Sequence, residues 1–211
     1  MDTTDRFSRT LHQLAIALHG LGAVSPAGTN LHMPDHPTRP GTMTKEAVGW
    51  VAVCMRRIQM DEGIAKEVDV PPIDSDEILV AVAPGSPAGV PYAKELKRLC
   101  GSSMAYLGLD WRNGTVTPVG TIPLSLQKVI VVDDEARDAD QFLQLFSVLG
   151  YLGLDVRSVL VAIDHEQGTK EELADWRCRL LSVFTVRDLT KLLADTGHFE
   201  ASDCIGSPVG S

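Results

Sequence analysis

The chain has 211 residues, 44% of them hydrophobic and 22% charged, which is typical of one globular domain with a substantial core. The 19 Lys and Arg residues against 28 Asp and Glu give a formal net charge of −9, which disfavours nucleic acid as a partner because phosphate-binding surfaces are basic. The longest apolar run is far shorter than the roughly 20 residues that span a membrane, and residues 1–7 are acidic where a signal peptide is basic. We therefore expect a cytoplasmic protein with no membrane partner.

The N-terminal part of the chain is predicted to be helical. Apolar residues recur at helical spacing over 7–18, and a second amphipathic helix is expected over 44–61. Residues 26–41 between them hold four prolines and are predicted to form a loop. His32 and His36 in this loop are disfavoured as metal ligands, because the neighbouring prolines prevent the helix that would bring the two rings together.

From residue 78 onward, apolar segments of strand length alternate with amphipathic helical segments. The predicted strands are 78–83, 104–107, 128–132, 158–163 and 180–184, with a short hairpin around 115–119. The predicted helices are one through Leu96 and Leu99, then 139–149, 170–176 and 186–194. This succession predicts an α/β fold with a central, mostly parallel sheet flanked by helices on both faces.

The domain organisation is expected to be simple. One domain is predicted at 1–196, made of an N-terminal helical hood at 1–62 and a core at 76–196. Residues 197–211 are rich in Gly and Ser and are predicted to be a flexible tail.

The cysteines and tryptophans suggest no special chemistry. Four cysteines are spread singly along the chain, which matches neither a zinc site nor a disulfide framework, so we interpret them as reduced thiols: Cys54, Cys100, Cys178 and Cys204. Trp50, Trp111 and Trp176 are interpreted as packing residues, with Trp111 expected to be the exposed one.

Residues 129–134 are interpreted as a buried strand that ends in two consecutive carboxylates, Asp133 and Asp134, and leads directly into a predicted helix. In an open parallel sheet the carboxyl ends of the strands line the crevice where ligands bind, so the pair is predicted to bind a ligand there. The alternative is a solvated strand end without a role. A response-regulator receiver domain also opens with a strand ending in acids, but only 77 residues follow Asp134, and no strand-terminal Asp followed by Pro and Gly stands where the phosphoacceptor of such domains would lie.

The segments on either side of this pair resemble type I phosphoribosyltransferases, and orotate phosphoribosyltransferases most of all. Residues 163–173 and 179–193 are similar to the C-terminal segment of that family. Residues 83–93 resemble its pyrophosphate-binding loop, with Gly89-Val-Pro91 in the place of Gly-Ile-Pro, and the N-terminal helix that runs into residues 22–24 resembles its opening. The resemblance implies the type I phosphoribosyltransferase fold with its helical hood.

The resemblance also implies roles for individual residues. In the family the acidic pair holds the ribose of phosphoribosyl pyrophosphate, which arrives with magnesium, so Mg²⁺ is the candidate cofactor, weakly held by Asp133 and Asp134. The remaining candidates are Arg137 beside the ribose phosphate, His165 in the base-binding position usually held by Arg, and Gly85, Ser86 and Gly89 in the pyrophosphate loop. No catalytic residue is assigned, and Ser86 lacks the flanking glycines of a nucleophile elbow.

The sequence departs from the family in the parts that handle phosphate. Glu135, Asp138, Ala139 and Asp140 stand where the family uses Thr, Gly and Ser to bind a 5′-phosphate. Arg112 is the only cation between Arg98 and Lys128, where the family has a basic catalytic loop. Residues 31–36 replace its orotate-binding loop.

Three functional hypotheses follow. The first is a degenerate, non-catalytic orotate phosphoribosyltransferase relative that binds a nucleotide, a phosphoribosyl compound or a protein partner. The second is an active orotate phosphoribosyltransferase of pyrimidine biosynthesis, a glycosyltransferase that forms orotidine monophosphate and pyrophosphate. The third is a structural subunit of an active paralogue. The resemblance implies a homodimer or a heteromer with such a paralogue.

Overall fold

The structure is a computed structural model, and it describes residues 11–13, 15, 45–60, 78–82, 89–100, 105–112, 115–119 and 127–197. Its helices are α1 (Lys45–Gln59), α2 (Gly89–Cys100), α3 (Asp140–Tyr151), α4 (Thr169–Asp175) and α5 (Val186–Asp195). Its strands are β1 (Ile78–Val82), β2 (Ala105–Arg112), β3 (Thr115–Val119), β4 (Lys128–Ala136), β5 (Asp155–Asp164) and β6 (Arg179–Thr185). Residues 11–13 and 15, within the first predicted helix, are helical as well.

The six strands form one sheet in the order β3-β2-β1-β4-β5-β6. The strands pair in parallel except β2 and β3, which form an antiparallel hairpin at one edge. β4 and β5 lie inside the sheet and are apolar along most of their length, as is typical of parallel strands covered on both faces. The prediction of a mostly parallel α/β fold is therefore confirmed.

Helices cover both faces of the sheet and bury two apolar layers. The first layer consists of the buried side chains between the sheet and helices α1, α2 and α5. The second layer consists of those between the sheet and helices α3 and α4. Buried side chains of the first layer include Val51, Met55, Tyr92, Leu96, Ile130, Val132, Leu160, Leu189 and Leu193. Those of the second layer include Val129, Val131, Phe142, Leu145, Leu149, Val159, Val161 and Leu173.

The sheet reverses its direction of growth between β1 and β4. From β1 the order continues to β2 and β3 on one side, and from β4 it continues to β5 and β6 on the other. The helix after β1 lies on the first layer and the helix after β4 lies on the second layer, as right-handed crossovers require. The carboxyl ends of β1 and β4 therefore form the topological switch point of the sheet, which is the ligand-binding crevice of open α/β folds.

Local chemistry explains how the chain turns from strand to helix and back. Thr185 ends β6 and its Oγ1 accepts the backbone N–H of Asp188 at 3.0 Å, so α5 starts without a loop. Gly153 follows α3 with φ of 75°, a left-handed conformation that glycine adopts at little cost. The backbone N–H of Leu154 then donates to the carbonyl of Leu149 at 2.9 Å and closes the helix end.

Several predicted boundaries were wrong. β4 was predicted to end at residue 132 but runs to Ala136, and β2 was predicted to end at residue 107 but runs to Arg112, where β3 pairs with it. Trp176 was predicted to pack but its surface is 56% exposed, and Trp50 is 37% exposed. The Trp111 side chain, most of the hood, the tail from residue 198 and Cys204 lie outside the described residues.

Two further findings concern the described part of the chain. None of its helices is both long enough and apolar enough to cross a bilayer. Cys54, Cys100 and Cys178 are free thiols, in agreement with the sequence interpretation. Burial raises the pKa of the Cys54 thiol to about 11.

Candidate functional site

The acidic pair lies at the topological switch point, within β4, which continues beyond it to Ala136. Within the described residues, which stop at Val82 in β1, the pairing of β1 with β4 reaches Val132, and the pairing of β4 with β5 continues to Ala136. Asp133 and Asp134 are only 1% and 5% exposed. The alternative of a solvated strand end is therefore wrong, because β5 pairs with this part of β4 and the carboxylates are buried.

The two carboxylates leave the strand in different directions. Successive side chains of a strand point to opposite faces, which puts Asp134 on the face of Ile130 and Val132 and Asp133 on the face of Val131. The Oδ1 atom of Asp133 accepts the backbone N–H of Asp134 at 2.9 Å. The pair thus presents two carboxylates at adjacent positions of the edge, one on each face of the sheet.

A second group, which we call the Glu135 cluster, consists of Glu135, Arg137 and His165. Nε of Arg137 donates to Oε1 of Glu135 at 2.9 Å, and its Nη2 donates to Oε2 at 3.2 Å. His165, just after β5, places Nε2 3.1 Å from Oε2 of Glu135. A carboxylate only accepts hydrogen bonds, so this contact requires the proton on Nε2. The side chains of His165 and Glu135 are 10% and 15% exposed.

The electrostatics of the Glu135 cluster favour the ionised carboxylate. Burial by itself would raise the pKa of Glu135, but the hydrogen bonds from His165 and Arg137 and the charge of Arg137 outweigh it and lower the pKa. Arg137 remains 47% exposed on its outer side. Arg137 and His165, which the sequence analysis assigned to ligand binding, therefore both contact the carboxylate of Glu135.

The β5–α4 connection adds a third structured piece of the edge. Asp164 ends β5, is 6% exposed, and its Oδ1 accepts the backbone N–H of Glu166 at 2.9 Å. Glu166 has φ of 56° and its Oε2 accepts the backbone N–H of Arg187 at 3.1 Å. These bonds fix the loop that follows β5 against the start of α5. The sequence reasoning missed both acids, since neither belongs to a recognisable spacing.

The predicted pyrophosphate loop is described only at its end. Gly89 is buried as the first residue of α2, whereas Gly85 and Ser86 lie outside the described residues. The chain reaches α2 after leaving the carboxyl end of β1, which places the start of α2 on the same side of the sheet as the acidic pair. Gly89 and the acidic pair therefore share the switch point.

Tyr92 is a site neighbour that sequence reasoning missed. It is buried in α2 among the first-layer residues. In the sequence, a tyrosine at helical spacing is indistinguishable from an ordinary core residue. Burial, followed by the negative charges of Asp134, Asp133 and Glu135, raises the pKa of Tyr92 well above its ordinary value of 10. The phenol therefore stays protonated beside the acidic pair.

The carboxylates near the carboxyl end of β4 are the candidate ligands for a hard cation such as Mg²⁺. No three His, Cys, Asp or Glu side chains converge as a metal site within the ranges that the structure covers. Asp138 and Asp140 point to solvent. Mg²⁺ commonly takes one or two protein carboxylates and completes its shell with water, so a carboxylate of the acidic pair has the chemistry that such a cation requires.

Comparisons with known proteins agree with the fold and the sequence resemblance. No family model matches the chain. An orotate phosphoribosyltransferase of Sulfurisphaera tokodaii is 23% identical over 131 residues, which cover 62% of this chain and 65% of that protein. The match thus spans just under two thirds of the relative's own length.

Solved structures superpose over more of the chain. The orotate phosphoribosyltransferase of Aeropyrum pernix aligns with a TM-score of 0.61 at 22% identity and covers 87% of this chain and 98% of its own. The Mycobacterium tuberculosis H37Rv enzyme in complex with phosphoribosyl pyrophosphate aligns with a TM-score of 0.56 at 17% identity, over 86% of this chain and 99% of its own. The chain therefore has the fold of type I phosphoribosyltransferases. Within that class, its sequence similarity is to the orotate phosphoribosyltransferases.

Proposed function

We propose that the chain binds a phosphorylated ribose, as a nucleotide or a phosphoribosyl compound, at the switch point between β1 and β4. In this proposal Asp133 and Asp134 accept hydrogen bonds from the ribose hydroxyls. Two buried carboxylates at a crevice are costly to keep unless ligands or neighbouring donors compensate them, and vicinal hydroxyls or a hard cation would do so. Mg²⁺, when bound, would neutralise part of the charge between the acids and the ligand phosphate.

We further propose that the chain does not transfer phosphoribose to orotate. The observation that carries this is the Glu135 cluster. Nε and Nη2 of Arg137 form one edge of the guanidinium that can bind a phosphate through two hydrogen bonds, and both already donate to Glu135, so a phosphate that uses this edge must displace the carboxylate. Glu135 would also repel a phosphate and the orotate carboxylate by about 1 kcal/mol or more each, even through a water-like medium.

Transfer of phosphoribose to a base depends on stabilising the charge of the departing pyrophosphate. Such stabilisation comes from preorganised cations and N–H donors whose hydrogen-bonding capacity is free for the ligand. At the described edge, Arg137 and His165 face Glu135, and Arg187 lies 3.4 Å from Glu166. These pairings support a binding role over a transfer role.

A second candidate is an active orotate phosphoribosyltransferase. The names of the similar proteins favour it, since both the sequence relative and the superposed structures carry that activity in their names. In that case ligand binding would have to open the Glu135 cluster and release Arg137 for the phosphate.

The test is a titration followed by an assay on the same preparation. Isothermal titration calorimetry with ribose 5-phosphate and with phosphoribosyl pyrophosphate, each with Mg²⁺, should show binding that Asp133→Asn with Asp134→Asn abolishes. Asp175→Asn is the matched control, because it removes one exposed carboxylate at the far end of α4. Adding orotate should yield no orotidine monophosphate above the uncatalysed background.

The outcomes separate the candidates. Binding without product supports the proposal, whereas binding with sustained product supports the active enzyme. No heat with either ligand, or heat that the Asp133 and Asp134 double variant retains, contradicts the proposal of a phosphoribosyl site at this edge.

A further inference from the structure

The outer face of α3 differs from the other described helices in its lack of charge. Helices α1, α2, α4 and α5 each carry four Lys, Arg, Asp or Glu residues, whereas α3 carries only Asp140, its first residue. Residues 141–154 contain none of these four residue types. A surface helix normally presents charged side chains to water, so the composition of this face needs a separate explanation.

The exposed side chains of α3 form one row along the helix. Gln144, Ser147 and Tyr151 recur at helical spacing and are all exposed, Tyr151 by 91%. Gly150 is exposed beside this row, and an added Cβ there would meet nothing within 4 Å outside the helix's own backbone. The opposite side of α3 is buried in the second layer. The row is therefore an open, uncharged surface.

Two exposed apolar residues extend this row at the amino edge of the sheet. α3 leads into β5 and α4 leads into β6, and these two strands are parallel neighbours. Both helices pack in the second layer, so their last residues lie side by side at the amino edge. Leu152 follows α3 and is 38% exposed, and Trp176 follows α4 and is 56% exposed. We call the surface made of Gln144, Ser147, Tyr151, Leu152 and Trp176 the α3 face.

The composition of the α3 face is that of a protein interface. Tyrosine and tryptophan are enriched in the centres of interfaces, and charged residues are depleted there. Covering Tyr151 and Trp176 would remove two aromatic rings from water without desolvating a charge on this face. The surface therefore suits a protein partner that is itself uncharged where it makes contact.

The polar groups of the α3 face match a second copy of the same face. The amide of Gln144 and the hydroxyls of Ser147 and Tyr151 can each donate and accept a hydrogen bond. Around a two-fold axis, residue i of one copy faces residue j of the other while j faces i. Groups that both donate and accept can pair in such an arrangement without any change of sign or polarity.

The charges that border Trp176 are also complementary to a second copy. Asp175 and Arg177 flank it, both are exposed, and no ion pair joins either side chain to the part of the chain that the structure describes. A two-fold axis lets Asp175 of one copy meet Arg177 of the other. An acidic or a basic partner would place a like charge against one of the two.

We propose that the chain self-associates as a two-fold dimer through the α3 face, with the two α3 helices antiparallel and Ser147 near the axis. Ser147 is the middle residue of the exposed row, and its Oγ donates to the carbonyl of Leu143 at 3.1 Å, back along its own helix. Small side chains at the contact let two helices approach closely. The α3 face extends from the middle of α3 to the amino edge, so this inference does not depend on the proposed ligand site.

The first test is sedimentation equilibrium of the full chain without ligand. It should show a reversible monomer–dimer equilibrium with a dissociation constant in the micromolar range, because one helix face with two chain turns is near the small end of specific interfaces. A chain that stays monomeric at submillimolar concentration overturns the proposal and leaves the α3 face to a different protein.

The second test places a charge at the proposed axis. Ser147→Glu and Ser147→Lys should each weaken self-association by at least about tenfold, because the new charge meets its own symmetry mate. An equimolar mixture of the two variants should form a heterodimer, since opposite charges then meet. Lys191→Gln is the matched control, because it changes the net charge as Ser147→Glu does but lies exposed on α5, on the other face of the sheet, and it should associate as the wild type does.

The remaining outcomes decide the geometry. Loss of the dimer in each Ser147 variant with recovery in the mixture supports the proposal. A dimer that both variants retain with wild-type affinity lies on another surface and overturns it. Loss in both variants without recovery in the mixture overturns the two-fold arrangement. Melting temperatures measured at concentrations where the wild type is monomeric should agree within a few degrees, so that lost association is not lost fold.

Discussion

At the scale of single residues, Glu135 is the side chain that organises the carboxyl edge. Its two oxygens accept from Arg137 on the same segment and from His165 beyond the next strand. The cluster brings the negative charge of Glu135 and the positive charge of Arg137 together at a partly buried position. Glu135 therefore partly neutralises the positive charge of Arg137 that an anionic ligand would otherwise meet.

The lowered pKa of Glu135 predicts a pH-dependent contribution to stability. A carboxylate whose pKa is lowered on folding stabilises the protein above its unfolded-state pKa, and this contribution is lost as the pH falls through the folded-state pKa. The difference in melting temperature between wild type and Glu135→Gln should therefore be positive near neutral pH and should shrink below the ordinary value of 4.5. Thermal unfolding followed by circular dichroism across this range measures it.

The control for this measurement is Glu171→Gln, which neutralises an exposed carboxylate in the first turn of α4. It should change the melting temperature less than Glu135→Gln does at neutral pH. A Glu135→Gln variant as stable as the wild type at neutral pH would show that the cluster contributes nothing to folding.

The sequence could name Asp133, Asp134, Arg137 and His165 but could not show how they pair. Glu135 and His165 are 30 residues apart, and the bond between them exists only because β4 and β5 are neighbours in register.

Trp176 was expected to be packed because large aromatic side chains usually are, but it follows α4 at a chain turn where no element covers it in the described structure.

At the scale of secondary structure elements, β4 extends beyond its predicted end at residue 132 as far as Ala136. Acidic residues are depleted in strands, so a prediction from residue preference ends at Val132. The structure extends the strand by Asp133, Asp134, Glu135 and Ala136, because β5 offers a paired edge over the same length. Tertiary pairing outweighs residue preference here, and it is the reason that the acids are buried.

Alanine substitutions at Gly168, in the β5–α4 turn, and at Gly150, in α3, should have different effects on stability. Gly168 has φ of 92°, so a side chain there strains the backbone, and Gly168→Ala should destabilise the protein by about 1–2 kcal/mol. Gly150 lies within α3 with open space around its Cα, and Gly150→Ala should be neutral or stabilising by up to about 1 kcal/mol. Urea unfolding of both variants measures the two effects. Equal stabilities would contradict the left-handed turn.

The packing of α3 predicts the largest loss of stability. Phe142 is fully buried in the second layer, so Phe142→Ala should cost about 3–5 kcal/mol through lost burial and the remaining cavity. Tyr151→Ala, at the exposed end of the same helix, should change stability by less than about 0.5 kcal/mol. Denaturant unfolding gives both values, and a small effect at Phe142 would contradict the described packing of α3.

At the scale of the whole molecule, the fold class followed from the sequence whereas the strand order did not. The alternation of apolar strands and amphipathic helices was enough for a parallel α/β sheet. Which strands are neighbours depends on contacts distant in sequence, and these place β4 between β1 and β5. The predicted dimer or heteromer and the predicted domain boundaries stay predictions.

The account rests on one claim about the whole molecule, that the switch point between β1 and β4 binds a phosphorylated ribose. The most direct test is a ¹H–¹⁵N correlation spectrum of the chain titrated with phosphoribosyl pyrophosphate and Mg²⁺. The account predicts that the amide signals of Asp133, Asp134 and Glu135 move together and saturate, while those at the opposite edge, such as Asp155 and Trp176, stay in place. Saturating shifts confined to the opposite edge, or no shifts at millimolar ligand, would contradict it.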